Sequence, residues 1–315
     1  MAFSSSVVAQ DAESNSFKRI KRPGAVDLKE EYDLSGLSIP EDEIHCLLPK
    51  DRIPSLTDPE TEAAKDSAEW LKPTSRLIVV QIGNETLGVP IQILDAHEVV
   101  NVSVGDEPVA VTYCPLCDSA AVFSRRVVKP DGSTIDLEFG VSGALYNSNV
   151  LMYDRTHKGL WSQLGMQAVS GVFVGKRLSV LPIKVLRFEA FVSKHPDAPV
   201  VSRNTSYRRD YARSPYAGYF FNDRLAVPVK RFGDALKKKT LGVGVLVGDK
   251  ASFVPVNAIG ENGYTLETAA GDVRLTSSKS GVVVESKPKS VLAMQTFYYS
   301  WSAFYPDTEV IHKAE

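Results

Sequence analysis

The sequence predicts an α+β, mainly β fold: a strand-rich unit, internally duplicated, with few short helices. Three observations predict it. Short runs of β-branched residues are punctuated by Gly, Asn and Asp, helical spacing is scarce, and two distant stretches echo each other without a gap.

In chain order, residues 1–40 are polar and without a sustained period, and read as a flexible arm. Turn residues at 51–54 and 57–59 precede Glu60 to Leu71, whose Ala64, Ala68 and Leu71 are spaced as a helix that Pro73 closes. Strands follow at Leu77 to Ile82, Thr86 to Val89, Val109 to Tyr113, Ala121 to Arg126, Ile135 to Val141 and Val150 to Tyr153. The best helices are Leu94 to Asn101, Arg187 to Lys194 and Lys230 to Leu236. This order is too irregular for a βαβ sheet.

The echo sets VQIGNETLGVPIQIL (Val80 to Leu94) over VLVGDKASFVPVNAI (Val245 to Ile259), and FVSKHPDAPV (from Phe191) over WSAFYPDTEV (from Trp301). It divides the chain into a first β-rich unit at 41–225 and a second, shorter, repeat-like unit at 226–315, packed on the first. Between its echoed elements the first unit holds a longer insert with a Cys-Pro-Leu-Cys turn, whereas the second holds neither Cys nor His there. A unit that folds without such residues does not need them for folding.

At 315 residues and 43% hydrophobic the chain can bury a sizeable core. A net charge of -2, with basic residues scattered apart from Lys237 to Lys239, leaves no footprint for nucleic acid. No apolar run reaches the ~20 residues of a membrane span. Val7-Val8-Ala9 before an acidic, Ser-rich stretch resembles the end of a cleaved export signal, so a periplasmic or extracellular location is expected, with the signal incomplete in this chain. Three cysteines point to one local redox or metal site rather than a disulfide framework.

That site is Cys114 and Cys117. Two thiols at this spacing after a strand can close a small disulfide, share a proton or grip a metal, and a helix starting at Asp118 or Ser119 would lower a thiolate pKa. His97, followed by Glu98, offers a metal ligand, a proton shuttle or a backbone cap. Gly140 and Gly143 break a strand ahead of Asn147, Ser148 and Asn149, which can turn the chain or bind a ligand. Asp154 and Arg155 put a carboxylate beside a guanidinium, and Trp161 with Gln163 adds an aromatic ring and an amide. The Tyr- and Arg-rich stretch Arg208 to Tyr219 reads as a loop covering a sheet.

The blocks DRIPSLTDP, ILDAHEVVN, VAVTYCPLCDSAAVFSR, FGVSGALYNSNVLMYDR, LWSQ, KHPD and SPYAGY together resemble an uncharacterised prokaryotic family catalogued as domain of unknown function 3179, from about Asp51 onward. The resemblance implies an exported or envelope setting. It also implies redox use of the cysteine motif, because some members carry selenocysteine there, and its carry-over lands on Cys114, Cys117, His97 and Glu98. The chain departs from the family at His157-Lys158-Gly159.

The leading expectation is a thiol oxidoreductase or redox-responsive protein, with Cys114 attacking, Cys117 resolving and His97 as base. Its partner would be a small molecule or a redox protein. The alternatives are a copper or zinc site on Cys114, Cys117 and His97, or a non-catalytic interaction module.

Overall fold

The computed structural model describes residues 27–260, 262–278 and 281–312. The export-signal segment and most of the expected arm lie outside the described residues. Residues 27–40 lie against the body of the protein: Leu28 and Tyr32 are buried, and the Tyr32 hydroxyl donates to Ser142 O at 2.8 Å.

Among the described residues the protein is mainly β, at 41% strand and 15% helix. The elements that place the site are, in chain order, β1 (Ile44–Cys46), β2 (Arg76–Ile82), β3 (Glu85–Pro90), α1 (Ile91–His97), β4 (Val99–Val104), β5 (Glu107–Cys114), β6 (Ser119–Ser124), β7 (Phe139–Tyr146), β8 (Asn149–Asp154), β9 (Leu160–Ser162) and β10 (Lys184–Arg187). After these come α2 (Phe188–Lys194), β11 (Pro199–Val201), β12 (Leu241–Val247), β13 (Lys250–Pro255), α3 (Val256–Ile259), β14 (Val291–Phe297), α4 (Tyr298–Phe304) and β15 (Glu309–Val310). Nearly every strand expected from the sequence is present, because β-branched runs bounded by turn residues favour a pleated, half-buried surface.

Two of the expected helices are absent. Thr61–Ala63 is an edge strand against β11, and only Asp66–Glu69 coils, as a 3-10 turn. Pairing with β11 satisfies backbone groups that a short, weakly amphipathic helix would not bury. Residues 230–236 form no helix, and the Leu94-to-Asn101 expectation is displaced, since α1 ends at His97 and β4 starts at Val99.

One sheet runs β4-β5-β6-β14-β12-β13-β15, and a second runs β10-β2-β3-β11 with three further strands beyond β10. A third, β1-β7-β8-β9, caps the cysteine turn. The first sheet draws strands from both sides of residue 225, joined where Gln295 of β14 meets Ala120 of β6.

The two echoed stretches share a strand order. In the first, β2 lies between β10 and β3, and β11 runs parallel to β3. In the second, β12 lies between β14 and β13, and β15 runs parallel to β13. A helix follows β3 and β13 at a Pro, and another precedes β11 and β15. The correspondence is one of strand order and helix placement; descent by duplication stays a proposal.

Candidate functional site

β5 and β6 pair antiparallel up to Cys114 opposite Ser119, so Pro115 to Asp118 make the hairpin loop. The helix that could have started at Asp118 does not form; β6 starts at Ser119, and no helix terminus reaches the thiols from there. Asp118 instead holds φ 46° and locks the loop, accepting from Arg76 Nη1 at 2.9 Å and the Tyr113 hydroxyl at 2.8 Å.

Both cysteines are free thiols with their sulfurs 3.5 Å apart. Cys117 Sγ donates to Ser148 O at 3.0 Å, and Asn149 Nδ2 donates to Cys117 Sγ at 3.5 Å. Ser148 sits in the two-residue loop joining β7 to β8, where Asn147 and Ser148 take φ of 48° and 62°. Two successive positive φ values fit the twist of a hairpin, and such turns ordinarily carry glycine. Here the side chains are kept and buried instead.

Asn149 is a hub. Its amide nitrogen donates to Gln163 Oε1 at 2.8 Å and its oxygen accepts from Leu164 N at 2.9 Å, while Gln163 Nε2 donates to Thr112 Oγ1 at 3.0 Å and Ser119 Oγ donates to Gln163 Oε1 at 2.6 Å. A buried polar network earns its stability only when every member is satisfied, and this one fixes the Ser148 carbonyl against the sulfurs. From α4 the Tyr299 hydroxyl donates to Leu116 O at 2.9 Å and approaches Ser148 Oγ at 3.3 Å, and Ser300 Oγ donates to Asn147 O at 3.4 Å.

The thiols are not equivalent. Burial raises both, but at Cys117 it is outweighed by hydrogen bonds from Cys114, Ser300, Asn149 and Tyr299, which bring its pKa below the ordinary thiol value. Burial and the neighbouring Cys117 charge push Cys114 well above it. The two thiols therefore titrate as a coupled pair, Cys117 ahead of Cys114.

Cys114 faces a cavity of about 310 Å³ whose lining also includes Leu116, Val141, Leu145, Val150 and Glu98. Its rim is formed by exposed Pro215 and Ala226 and half-buried Leu47, Leu48 and Tyr216. Gly143 shapes the wall: at φ 76° it lets the 47–48 backbone approach, and a side chain there would collide with the Leu48 carbonyl. Glu98 reaches the cavity because it ends α1 at φ 55°, with its carbonyl accepting from Tyr113 N at 2.8 Å, one residue before Cys114. Burial, then the charges of Cys117 and Asp95, push its carboxyl up to about 8, so it holds a proton at neutral pH.

The structure does not bring His97 to the sulfurs. Its Nδ1 lies 2.7 Å from Pro54 O and its Nε2 2.7 Å from the Tyr211 hydroxyl, so both nitrogens are engaged in tying the 54 and 211 segments together. Among the described residues no group of three or more His, Cys, Asp or Glu is placed to hold a metal ion, so the copper or zinc reading lacks its third ligand. Asp154, Arg155 and Trp161 also stand apart from the thiols. Asp154 accepts from Trp161 Nε1 at 3.0 Å and His157 N at 2.6 Å, and Arg155 pairs with Asp51 at 3.0 Å and Glu138 at 2.9 Å. Glu98, Asn147, Ser148, Asn149 and Gln163 do assemble around Cys114 and Cys117.

Sequence reasoning missed Tyr299 and Ser300, took Ser119 only as a possible helix cap, and took Tyr216 only as part of a covering loop. The family model for a protein of unknown function (DUF3179) matches residues 50–291. The chain belongs to that family. The match takes in the cysteine turn, the 147–149 loop and Tyr216 of the DUF3179 chain, and stops just short of α4 with Tyr299 and Ser300. No curated protein and no solved structure matches the chain.

Proposed function

We propose that the protein is a dithiol redox protein in which Cys114 and Cys117 cycle between thiols and a disulfide. One observation carries the reading: two free sulfurs in contact at 3.5 Å, one of them lining a cavity beside a protonated carboxyl. Closing the disulfide needs the sulfurs to approach to about 2.05 Å, a small motion for a hairpin loop.

Atoms and electrons balance with a small disulfide R–S–S–R as oxidant. In the singly ionised pair the Cys114 proton passes to the Cys117 sulfur, and the Cys114 thiolate attacks one substrate sulfur. A mixed disulfide forms and RS⁻ leaves, taking the Glu98 proton to become RSH. The Glu98 carboxylate takes up the Cys117 proton, and the Cys117 thiolate attacks the Cys114 sulfur. The second RS⁻ leaves and is protonated from Glu98. Two electrons have moved from the cysteine sulfurs to R–S–S–R, which ends as two RSH. Glu98 fills the proton-transfer role that the sequence offered to His97.

The test is exposure of the folded protein to 2-hydroxyethyl disulfide, then denaturation, alkylation and peptide mass mapping. A Cys114–Cys117 disulfide, about 2 Da lighter than the dithiol and reopened by dithiothreitol, is the expected product. Reaction at half-buried Cys46 with both loop thiols still alkylated would overturn the reading.

A further inference from the structure

Glu98, Tyr216 and the Cys114 thiol bring the polar groups to the cavity, Glu98 buried and Tyr216 half-buried at its rim. The Asn149 and Gln163 amides around the thiols are committed to bonds within the protein. The Glu98 carboxyl and the Tyr216 hydroxyl are therefore the groups that a molecule entering the cavity would meet.

The lining sets the chemistry of what enters. Leu47, Ile53, Leu116, Val141, Leu145 and Val150 supply the walls, and no Lys, Arg or His lines the space. An anion would lose its water without gaining a cation. A cation would have to ionise Glu98 against burial and against Asp95, besides shedding its own hydration. A neutral molecule incurs neither cost, because a protonated carboxyl both donates and accepts. The volume of about 310 Å³ equals that of about ten waters at ~30 Å³ each, which suits a bicyclic ring system.

We propose that this cavity binds one small, uncharged, mostly apolar molecule whose single polar group hydrogen-bonds to Glu98 and Tyr216, against the sulfur of Cys114. The proposal rests on the dithiol reading only in taking that molecule as the thiols' reaction partner; the binding itself does not need the thiols to react.

The test uses the full chain carrying Cys114→Ser and Cys117→Ser, so that redox chemistry cannot contribute. Three fluorescent probes of one shape are titrated at pH 7: 1-naphthalenemethanol, 1-naphthoate and 1-naphthylmethylammonium. The alcohol is expected to bind saturably, and each ion at least ~10-fold more weakly. Ala226→Trp, at an exposed rim position and checked for an unchanged circular-dichroism spectrum, is expected to abolish alcohol binding by blocking the mouth. Absence of saturable alcohol binding, equal binding of all three probes, or an Ala226→Trp protein that binds unchanged overturns the proposal. Oxidation of the native thiols by diamide, which needs no cavity-sized ligand, is scored separately. Binding without oxidation would remove the dithiol reading and keep this one, and oxidation without binding would do the reverse.

Discussion

The two segments that share a strand order differ where chemistry is at stake. In the first, the turn after β3 continues as α1 through Asp95 to Glu98, both buried carboxyls; burial first of all raises them, to about 6 and about 8. In the echo, Asp95 and Glu98 fall on Gly260 and Gly263, which hold φ of 68° and 78° after the four-residue α3. The helices before β11 and β15 invert the pattern. In α2 the residues matching Tyr299 and Ser300 are exposed Glu189 and half-buried Ala190, while in α4 Tyr299 and Ser300 press on the cysteine turn. One strand order thus survives with carboxyls or glycines after the hairpin, and with outward or inward polar groups on the second helix. The site combines the buried carboxyl of one segment with the inward polar groups of the other.

The comparison breaks most visibly at the thiols. Replacing either Cys114 or Cys117 with Ser is expected to eliminate reversible disulfide formation while costing stability little, because Ser keeps a donor for the Ser148 carbonyl. Mass mapping reads the first effect and thermal unfolding the second. A Cys117→Ser protein that still formed a reversible intramolecular disulfide, which could then only join Cys114 to Cys46, would sink the pairing.

Glu98 tests whether the first segment carries a burden that the second is spared. Its folded pKa, about 8, lies above the usual carboxyl value of 4.5, so the folded state holds a proton that the unfolded state has released between those values. Stability contributed by the neutral form is complete below about 4.5 and declines as pH rises toward about 8, on the order of a few kcal/mol in all. Glu98→Gly, the residue found in the echo and suited to φ 55°, is expected to flatten the loss between pH 5 and 8 and to slow thiol oxidation. Denaturant midpoints across that range decide it; an unchanged pH slope would show that Glu98 is not the responsible group.

The strands were legible because alternation and turn chemistry are local. The hairpin glycines Gly83 and Gly248 mark both copies of the echo at φ 57° and 58°. The helix read from Ala64, Ala68 and Leu71 failed because the competing interaction, β11 alongside Thr61–Ala63, comes from residues more than a hundred positions away. The site divided in the same manner. Cys114, Cys117 and the 147–149 loop announce themselves by residue type, whereas Tyr299 reaches Leu116 from 183 positions away with no signal in its own neighbourhood. His97 and Glu98 stood together in the sequence, and a single positive φ sends one carboxyl to the cavity while the imidazole is bound to Pro54 and Tyr211.

Tyr299→Phe sharpens the contrast between α4 and α2 at a smaller scale. The ring stays packed, the bonds to Leu116 O and Ser148 Oγ are lost, and about 1 kcal/mol of stability goes with them. More telling is the thiol: the Tyr299 hydroxyl is one of the hydrogen bonds that bring Cys117 down, so iodoacetamide alkylation should shift to higher pH in the variant. Tyr299→Phe with an unmoved alkylation profile would confine the hydroxyl to a structural role.

The smallest effect belongs to the matching position on α2. Glu189 is exposed, and its contact with Arg187, at 3.7 Å, is a surface pair. Glu189→Ala should therefore change stability by no more than about 0.5 kcal/mol and leave both alkylation and disulfide formation untouched. If thiol reactivity moved with Glu189, the two helices would be coupled through the sheets. The division of labour read from their outward and inward faces would then give way to a site that extends across both segments.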